Sequence, residues 1–193
     1  MATTNENKVE FGLKNSHYAI VTDDGNKYTY GKPVALKGST ELKSDPEGDS
    51  NAFYADDSDY YDSVSNQGYS GKLTLARVTD QFMQDVFGEV KDTATGIQMD
   101  NTDAQPKKIA LLFEFDGDSK KRRHEFLNVT VTRPSVSSAT KSDKVEPNTV
   151  ELSFTAAPDP YTHHSKMFAD EGDVAYDKWY DEVQLPTGTN AAG

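Results

Sequence analysis

Two clusters of carboxylates have the residue types that bind calcium. Asp56-Asp57-Ser58-Asp59 and Asp116-Gly117-Asp118 each bring several oxygen ligands close together in the sequence. An EF-hand loop needs alternating oxygen ligands, a glycine at its sixth position and a glutamate at its twelfth, and neither cluster has that spacing. Such clusters are more typical of solvated turns or of contacts between subunits. The sequence therefore predicts no metal site.

The four histidines are the next candidates for chemistry. No two of them have the i, i+4 spacing that places a pair of imidazoles on one side of a helix to bind a metal. The adjacent pair would point to opposite faces of an extended segment. We therefore predict exposed loop histidines, with no metal-binding role, at His17, His124, His163 and His164.

Catalytic motifs are missing from the sequence. The chain has no cysteine, which excludes disulfides, thiolate ligands and a cysteine nucleophile. It contains no Gly-x-Ser-x-Gly elbow, phosphate-binding loop or dinucleotide fingerprint. Among 32 acidic residues, a pair of carboxylates at glycosidase spacing is expected by chance. We predict that the protein is not an enzyme and uses no cofactor.

Charge disfavours non-specific binding to nucleic acid, because the formal net charge of -12 repels phosphates. The one basic run is Lys120-Lys121-Arg122-Arg123-His124. It is predicted to enter a strand, where successive side chains face opposite sides and no single face receives the whole charge. We favour a solvated hairpin shoulder, or a dock for an acidic neighbour, over a DNA-binding patch.

Short alternating apolar runs between turn residues predict a mainly β fold. The strongest signal is a long hairpin from Lys108 to Arg133 around Asp116-Gly117-Asp118-Ser119, and a second hairpin spans His17 to Tyr30. Weaker strand signals lie at Pro33 to Leu36, Thr40 to Ser44, Gly71 to Arg77, around Val90 and Ile97, and from Val150 to Ala156. We predict a β-sandwich or open barrel with one or two short α-helices and a long inter-strand loop.

Two segments have the apolar spacing of helices. A short helix is predicted to start at Thr79 or Asp80, to carry Phe82, Met83, Val86 and Phe87, and to end at Gly88. A final helix is predicted from Asp173 to Val183, with Tyr176, Trp179, Tyr180 and Val183 in one stripe.

The segment from Asp45 to Gln67 is predicted to be the long loop, since it is crowded with carboxylates and aromatic residues but has no sustained period. Connections of this length without regular structure usually have a function. Residues 11–186 are predicted to form one domain between flexible tails at 1–10 and 187–193. No apolar run approaches the roughly 20 residues of a membrane helix, and the N-terminus lacks the features of a signal peptide, so we expect a soluble, non-secreted protein.

Six blocks of sequence together resemble the major tail protein (tail tube protein) family of long, non-contractile-tailed phages. Each block is short, but they occur in order from residue 11 to about residue 135. They are Phe11-Gly12-Leu13-Lys14-Asn15, Asp45-Pro46-Glu47-Gly48-Asp49, Phe53-Tyr54-Ala55-Asp56-Asp57, Gly68-Tyr69-Ser70-Gly71, the run from Phe113 to His124, and Arg133-Pro134-Ser135.

The resemblance implies a β-sandwich-like domain with a flanking helix and a long loop. Such proteins form hexameric rings that stack into a tube around the tape-measure protein, and double-stranded DNA later passes through the tube without specific binding. The resemblance also implies tail terminator and distal tail proteins as partners, no membrane partner, and a location in the virion tail after assembly in the host cytoplasm.

In such a tube, the long loop is interpreted as a segment that binds an adjacent ring. Its aromatic residues would provide buried contact area, and its carboxylates would set the register of the contact. Its acids are predicted to meet the basic run of another subunit. The predicted subunit-interface residues are Asp45, Glu47, Asp49, Phe53, Tyr54, Asp56, Asp57, Asp59, Tyr60, Tyr61, Tyr69, Lys120, Lys121, Arg122 and Arg123. The alternative is a monomeric β-sandwich module in which the loop binds carbohydrate or calcium.

Overall fold

The computed structural model describes residues 12–55, 58–136 and 148–186, and for residues 50–55 and 58–64 it describes the backbone alone. The predicted tails at 1–10 and 187–193 lie outside the described residues. The described elements are β1 (Leu13–Asp23), β2 (Tyr28–Tyr30), β3 (Val34–Ala35), β4 (Ser39–Glu47), β5 (Ser50–Ala55), β6 (Ser58–Val64), β7 (Gly68–Leu75), α1 (Asp80–Phe87), β8 (Val90–Lys91), β9 (Gln98–Met99), β10 (Ile109–Phe115), β11 (Arg123–Val131), β12 (Val150–Ala157), β13 (Lys166–Ala169) and a 3₁₀ turn (Tyr176–Lys178).

One antiparallel sheet dominates, with strand order β2-β1-β10-β11-β12-β7-β4. β11 pairs with β10 along one edge. Along its other edge, its first half pairs with β13 and its second half with β12. Between those halves the register to β10 shifts, from Leu111 opposite Phe126 to Ile109 opposite Val129. Because such an irregularity increases local twist, the sheet bends there, and β1 and β4 contact each other across the molecule. The predicted mainly β, sandwich-like fold is confirmed.

The main core fills the concave side of the bent sheet. It combines side chains from β1, β7, β10, β11 and β12 with the apolar face of α1. The helix begins as predicted, because the Thr79 hydroxyl accepts a hydrogen bond from the Phe82 backbone N–H at 3.2 Å. It ends at Gly88, which has a left-handed conformation with φ of 72°. Phe82, Val86 and Phe87 are thereby held in the core.

A smaller core lies on the opposite face of the sheet, where Leu112 of β10 packs with Trp179 of the segment 173–186. The predicted helix over Asp173 to Val183 is wrong, since the described structure there is a single 3₁₀ turn flanked by turns. In an α-helix the Tyr176 carbonyl would accept the Tyr180 N–H. Here it accepts the Trp179 N–H at 3.2 Å and the Arg123 guanidinium at 2.5 Å, so a tertiary contact replaces the helical one.

The two predicted hairpins are present. β1 and β2 pair with Val21 opposite Tyr30, and β10 and β11 pair with Phe113 opposite His124. β12 buries Leu152, Phe154 and Ala156 on one face, as predicted. In the part of the chain that the structure describes, no helix combines the length and the apolar character needed to span a bilayer.

Candidate assembly surfaces

A two-stranded ribbon extends the edge of the main sheet. β4 pairs with β7 as far as Glu47 opposite Gly68, and the ladder then continues through the Gln67 N–H to the Glu47 carbonyl (2.8 Å) and the Ser65 N–H to the Asp49 carbonyl (2.9 Å). β5 and β6 follow, paired from Ser50 opposite Val64 to Ala55 opposite Ser58. They form a sheet of their own. We call residues 50–64 the arm.

The arm corrects the prediction of an irregular loop over Asp45 to Gln67, since most of this segment is β-strand. The strand signal was hidden because β5 and β6 join no larger sheet in the described part of the chain, and a ribbon outside the main sheet has no need to alternate apolar and polar residues. The strands also contain residues that are more common in turns, such as Asn51 in β5 and Asp59 in β6.

The predicted interface residues of this segment fall into two groups. At the base of the arm, Asp45, Glu47 and Asp49 are exposed and make local contacts: Asp45 with Lys43 (3.4 Å), Glu47 with the Ser70 hydroxyl, and Asp49 with the Gln67 amide (3.1 Å). Tyr69 is partly buried against Phe126, with ring centroids 5.2 Å apart. On the arm, the backbone places Phe53 and Tyr54 in β5 and Asp59, Tyr60 and Tyr61 in β6. Asp56 and Asp57 lie outside the described residues.

The basic run occupies the turn before β11 and the first two residues of that strand, so only Arg123 and His124 lie in the strand. Each cation meets a carboxylate of its own chain. Lys120 and Arg122 approach Asp170 at 3.8 and 3.0 Å, and Lys121 approaches Glu171 at 2.6 Å. The pairs of Lys120 and Lys121 are largely exposed and contribute little to stability. These side chains therefore remain accessible to an acidic partner, and their pairing with another subunit stays a prediction.

Arg123 differs from the other cations, because it is built into the fold. Its guanidinium lies 3.3 Å from the Glu114 carboxylate. Only 20% of the Arg123 side chain and 7% of the Glu114 side chain are exposed. It also stacks on the rings of Tyr176 and Tyr180 at 3.8 and 4.9 Å. The Asn15 amide donates to Glu114 from the other side. Arg123 thus fastens the segment 173–186 to the sheet.

Replacing Arg123 by leucine is expected to lower the free energy of unfolding by about 3 kcal/mol, because Glu114 would be left as a buried charge without its main partner. Urea denaturation measures the loss. The matched control is Lys121→Leu, which breaks an exposed ion pair and should cost about 0.5 kcal/mol or less. Equal losses in the two variants would show that the Arg123 contact does not fasten the fold.

Two ionisable side chains of β11 are buried, His124 and Glu125. His124 stacks on Phe113 with ring centroids 5.4 Å apart, so the prediction of an exposed loop histidine is wrong at this position. Burial lowers its pKa to about 4. Glu125 is opposite Leu112 and shares the face covered by Trp179, and burial raises the pKa of its carboxyl to about 8. The alternation of apolar and polar residues in the sequence did not predict that either side chain is buried.

Glu125→Gln is expected to flatten the dependence of stability on pH between 6.5 and 8. The folded protein holds the Glu125 proton up to about pH 8, whereas the unfolded chain releases it near 4.5, so stability falls as pH rises through this interval. His124 contributes below this window, because its neutral form is buried and stability falls as pH drops from 6.5 towards 4.

The measurement is urea unfolding at pH 6.5 and pH 8. Between the two pH values, the free energy of unfolding of the natural protein should fall by on the order of 2 kcal/mol more than that of the glutamine variant. Identical pH dependence in both proteins would mean that Glu125 ionises freely in the folded state.

No family model matches the chain, and no curated protein sequence matches it. Among solved structures, the chain is similar to the tube-terminating cap of the anti-feeding prophage, determined by cryo-EM, with a TM-score of 0.39 and 13% sequence identity. The match covers 88% of this chain and 99% of the cap chain. A likeness at this level carries no argument about fold or function.

Proposed function

We propose that this chain is a non-enzymatic structural subunit of a phage tail tube. The subunits assemble into hexameric rings, and the rings stack into a tube that encloses the tape-measure protein and later conducts DNA. The tube ends on tail terminator and distal tail proteins, and the finished protein is located in the virion. The ordered sequence blocks from Phe11 to Ser135 support the choice of family.

The observation that carries the proposal is the arm. An isolated two-stranded ribbon is marginally stable in water, and β5 and β6 pair with no third strand in the described part of the chain. A ribbon that gains no third strand from the described part of its own subunit is suited to pack against a neighbouring subunit. In a tube, that neighbour is another copy of the same chain.

The two ends of the main sheet provide a second line of support. Among the described strands, β4 forms one end of the strand order and pairs with β7 alone, while β2 and β3 flank β1 at the other end. The two ends differ in length and sequence, so a contact between them is head-to-tail. Head-to-tail contacts close into rings when the rotation per subunit is right. Such contacts also satisfy edge groups that would otherwise promote aggregation.

Electrostatics are compatible with a conduit. A bore lined by cations would bind DNA through counterion release, whereas the net charge of -12 favours repulsion between the tube and DNA. Screening limits that field to about 8 Å at physiological salt, so it acts on DNA near the wall.

Sedimentation velocity over a wide range of protein concentrations tests the proposal against a monomeric binding module. A tube subunit is expected to give large species whose fraction rises with concentration. A monomer at every concentration, with measurable affinity for an oligosaccharide or for calcium in calorimetry, would favour the module instead.

A further inference from the structure

The carboxyl of Glu125 is completely buried on the face of the sheet that carries the smaller core. Its side chain is 0% exposed, and the register places it between Leu112 of β10 and Met167 of β13. Residues that are opposite each other in neighbouring strands share a face, so two apolar side chains flank the carboxyl. An ionised carboxylate is strongly disfavoured in such surroundings. The structure as described therefore requires the neutral acid.

The segment that lies over this carboxyl is residues 173–186, which we call the cover. Trp179 of the cover is 2% exposed and packs with Leu112 in the smaller core. The backbone N–H of Gln184 interacts with the Glu125 carboxyl. One short stretch of chain thus keeps both the tryptophan and the carboxyl away from solvent.

Side-chain contacts attach the cover to the sheet in the described part of the chain. The backbone hydrogen bonds of the cover join residues within 170–182. Arg123 binds the Tyr176 carbonyl, and the His17 ring stacks on Tyr180 with ring centroids 4.4 Å apart. Because the strands of the main sheet keep their partners when these contacts separate, the cover is a unit that can open at a lower cost than global unfolding.

Charged groups on the elements around Glu125 do not favour its ionisation. Arg123 lies two residues away on the same face of β11, but its guanidinium contacts Glu114 of β10 at 3.3 Å. Burial and the Asp159 carboxylate raise the pKa of Tyr30 in β2, and Glu125 adds to that rise. Further ionisable groups on these elements are His17 of β1, Lys166 of β13, and Asp173, Tyr176, Asp177, Lys178, Tyr180, Asp181 and Glu182 of the cover. The cover thus carries four carboxylates and one lysine, so a charge on Glu125 would also be repelled by the cover.

The position of the cover is linked to pH through this carboxyl. Burial raises the pKa of Glu125 from 4.5 to about 8, and the Gln184 N–H opposes that rise only in part. When the cover opens, the carboxyl returns to water and ionises near 4.5 again. The closed form therefore holds the proton more tightly, and a rise in pH favours the open form. The whole interval between the two pKa values shifts this balance on the order of 10³-fold.

We propose that residues 173–186 are a pH-released cover, which detaches from β10 and β11 when Glu125 loses its proton while the main sheet remains folded. Leu112 and Trp179 become exposed in the open form. The protein thereby gains an apolar surface at alkaline pH that it lacks at neutral pH. The inference concerns a single chain and does not depend on the proposed tube function.

Fluorescence of Trp179 tests the proposal, because this residue is the only tryptophan of the chain. Raising the pH from 6.5 to 9 is expected to shift its emission to the red and to increase its quenching by acrylamide several-fold. Far-UV circular dichroism should stay constant over the same interval, since the main sheet keeps its strands. Unchanged fluorescence, or a red shift that is accompanied by loss of the β signal, would overturn the proposal.

Three variants identify the group that drives the opening. Glu125→Gln keeps the shape of the neutral acid and removes its titration, so the Trp179 emission should remain that of the closed form at both pH values. Glu125→Leu suits the same apolar site and repeats the test if the amide prevents folding. His17→Gln is the matched control, because His17 contacts the cover through Tyr180, and it should keep the alkaline red shift. A red shift of natural size in the Glu125 variants, or its loss in His17→Gln, would assign the opening to another group and overturn the role of Glu125.

Discussion

Replacing residues 50–64 by an Asn-Gly turn is expected to abolish tube formation and to leave the fold of the subunit intact. Asp49 and Ser65 face each other across the ladder, and a two-residue Asn-Gly turn joins strands at this distance. The removed strands pair only with each other in the described structure, so the main sheet loses no partner. Electron microscopy should show no tubes, and the free energy of unfolding should change by about 1 kcal/mol or less.

The matched control shortens a different hairpin, the one formed by β8 and β9. Replacing its turn, residues 92–97, by Asn-Gly removes a turn that has no proposed role in assembly. This variant should form tubes like the natural chain. Normal tubes from the arm-deleted protein would contradict the role of the arm as the contact between subunits.

Gly71→Ala is expected to produce a large loss of stability from a single added carbon. Gly71 lies in β7 between its two neighbouring strands, opposite Ser44 of β4 and Phe154 of β12. A Cβ atom at this position would lie 2.1 Å from the Lys43 carbonyl oxygen and 2.7 Å from the Phe154 ring. The carbonyl belongs to the ladder and cannot move away without breaking it. We expect the free energy of unfolding to fall by roughly 3 kcal/mol, which is the upper end of the usual range for overpacking substitutions.

Gly31→Ala provides the matched control for the same chemical change. A Cβ atom there would lie 3.6 Å from the Ile20 carbonyl oxygen, which is an ordinary contact. Removing a glycine reduces the entropy of the unfolded chain, so this variant should be as stable as the natural protein or more stable by up to about 1 kcal/mol. Urea denaturation compares the two, and similar stabilities would show that the sheet adjusts to accept a side chain at Gly71.

The elements predicted most accurately are those in which local and tertiary preferences agree. The helix over Asp80–Phe87 has a capping threonine, an apolar face and a terminal glycine, and all three act as expected in the structure. The hairpin of β10 and β11 has turn residues between two apolar runs. The class of fold followed from these signals together with the many short strands.

Features that depend on contacts between distant residues were not predictable from the sequence. The stripe of Tyr176, Trp179 and Tyr180 predicted a helix, but the Arg123 guanidinium binds the Tyr176 carbonyl and stabilises a 3₁₀ turn. β13 is only four residues long and begins with lysine, and it becomes a strand because β11 has a free edge beyond its irregularity.

The predicted interface residues also divide into those that local sequence identified and those that depend on contacts between distant residues. Composition identified the acidic, aromatic segment and the basic run as unusual, and the structure places the first at a protruding ribbon. The sequence did not distinguish Arg123, which is held by Glu114, from Lys120 and Lys121, which are exposed. Mutations intended to disturb assembly should therefore change the two lysines and leave Arg123 in place.

Negative-stain electron microscopy of the concentrated, purified protein tests the central claim most directly. We expect tubes of constant diameter with a regular axial repeat, and end views of rings with six subunits. The arm-deleted variant at the same concentration should show dispersed particles of single-chain size. Dispersed single chains in the natural protein at every concentration, including after addition of sheared tail fragments as seeds, would contradict the assignment as a tail-tube subunit.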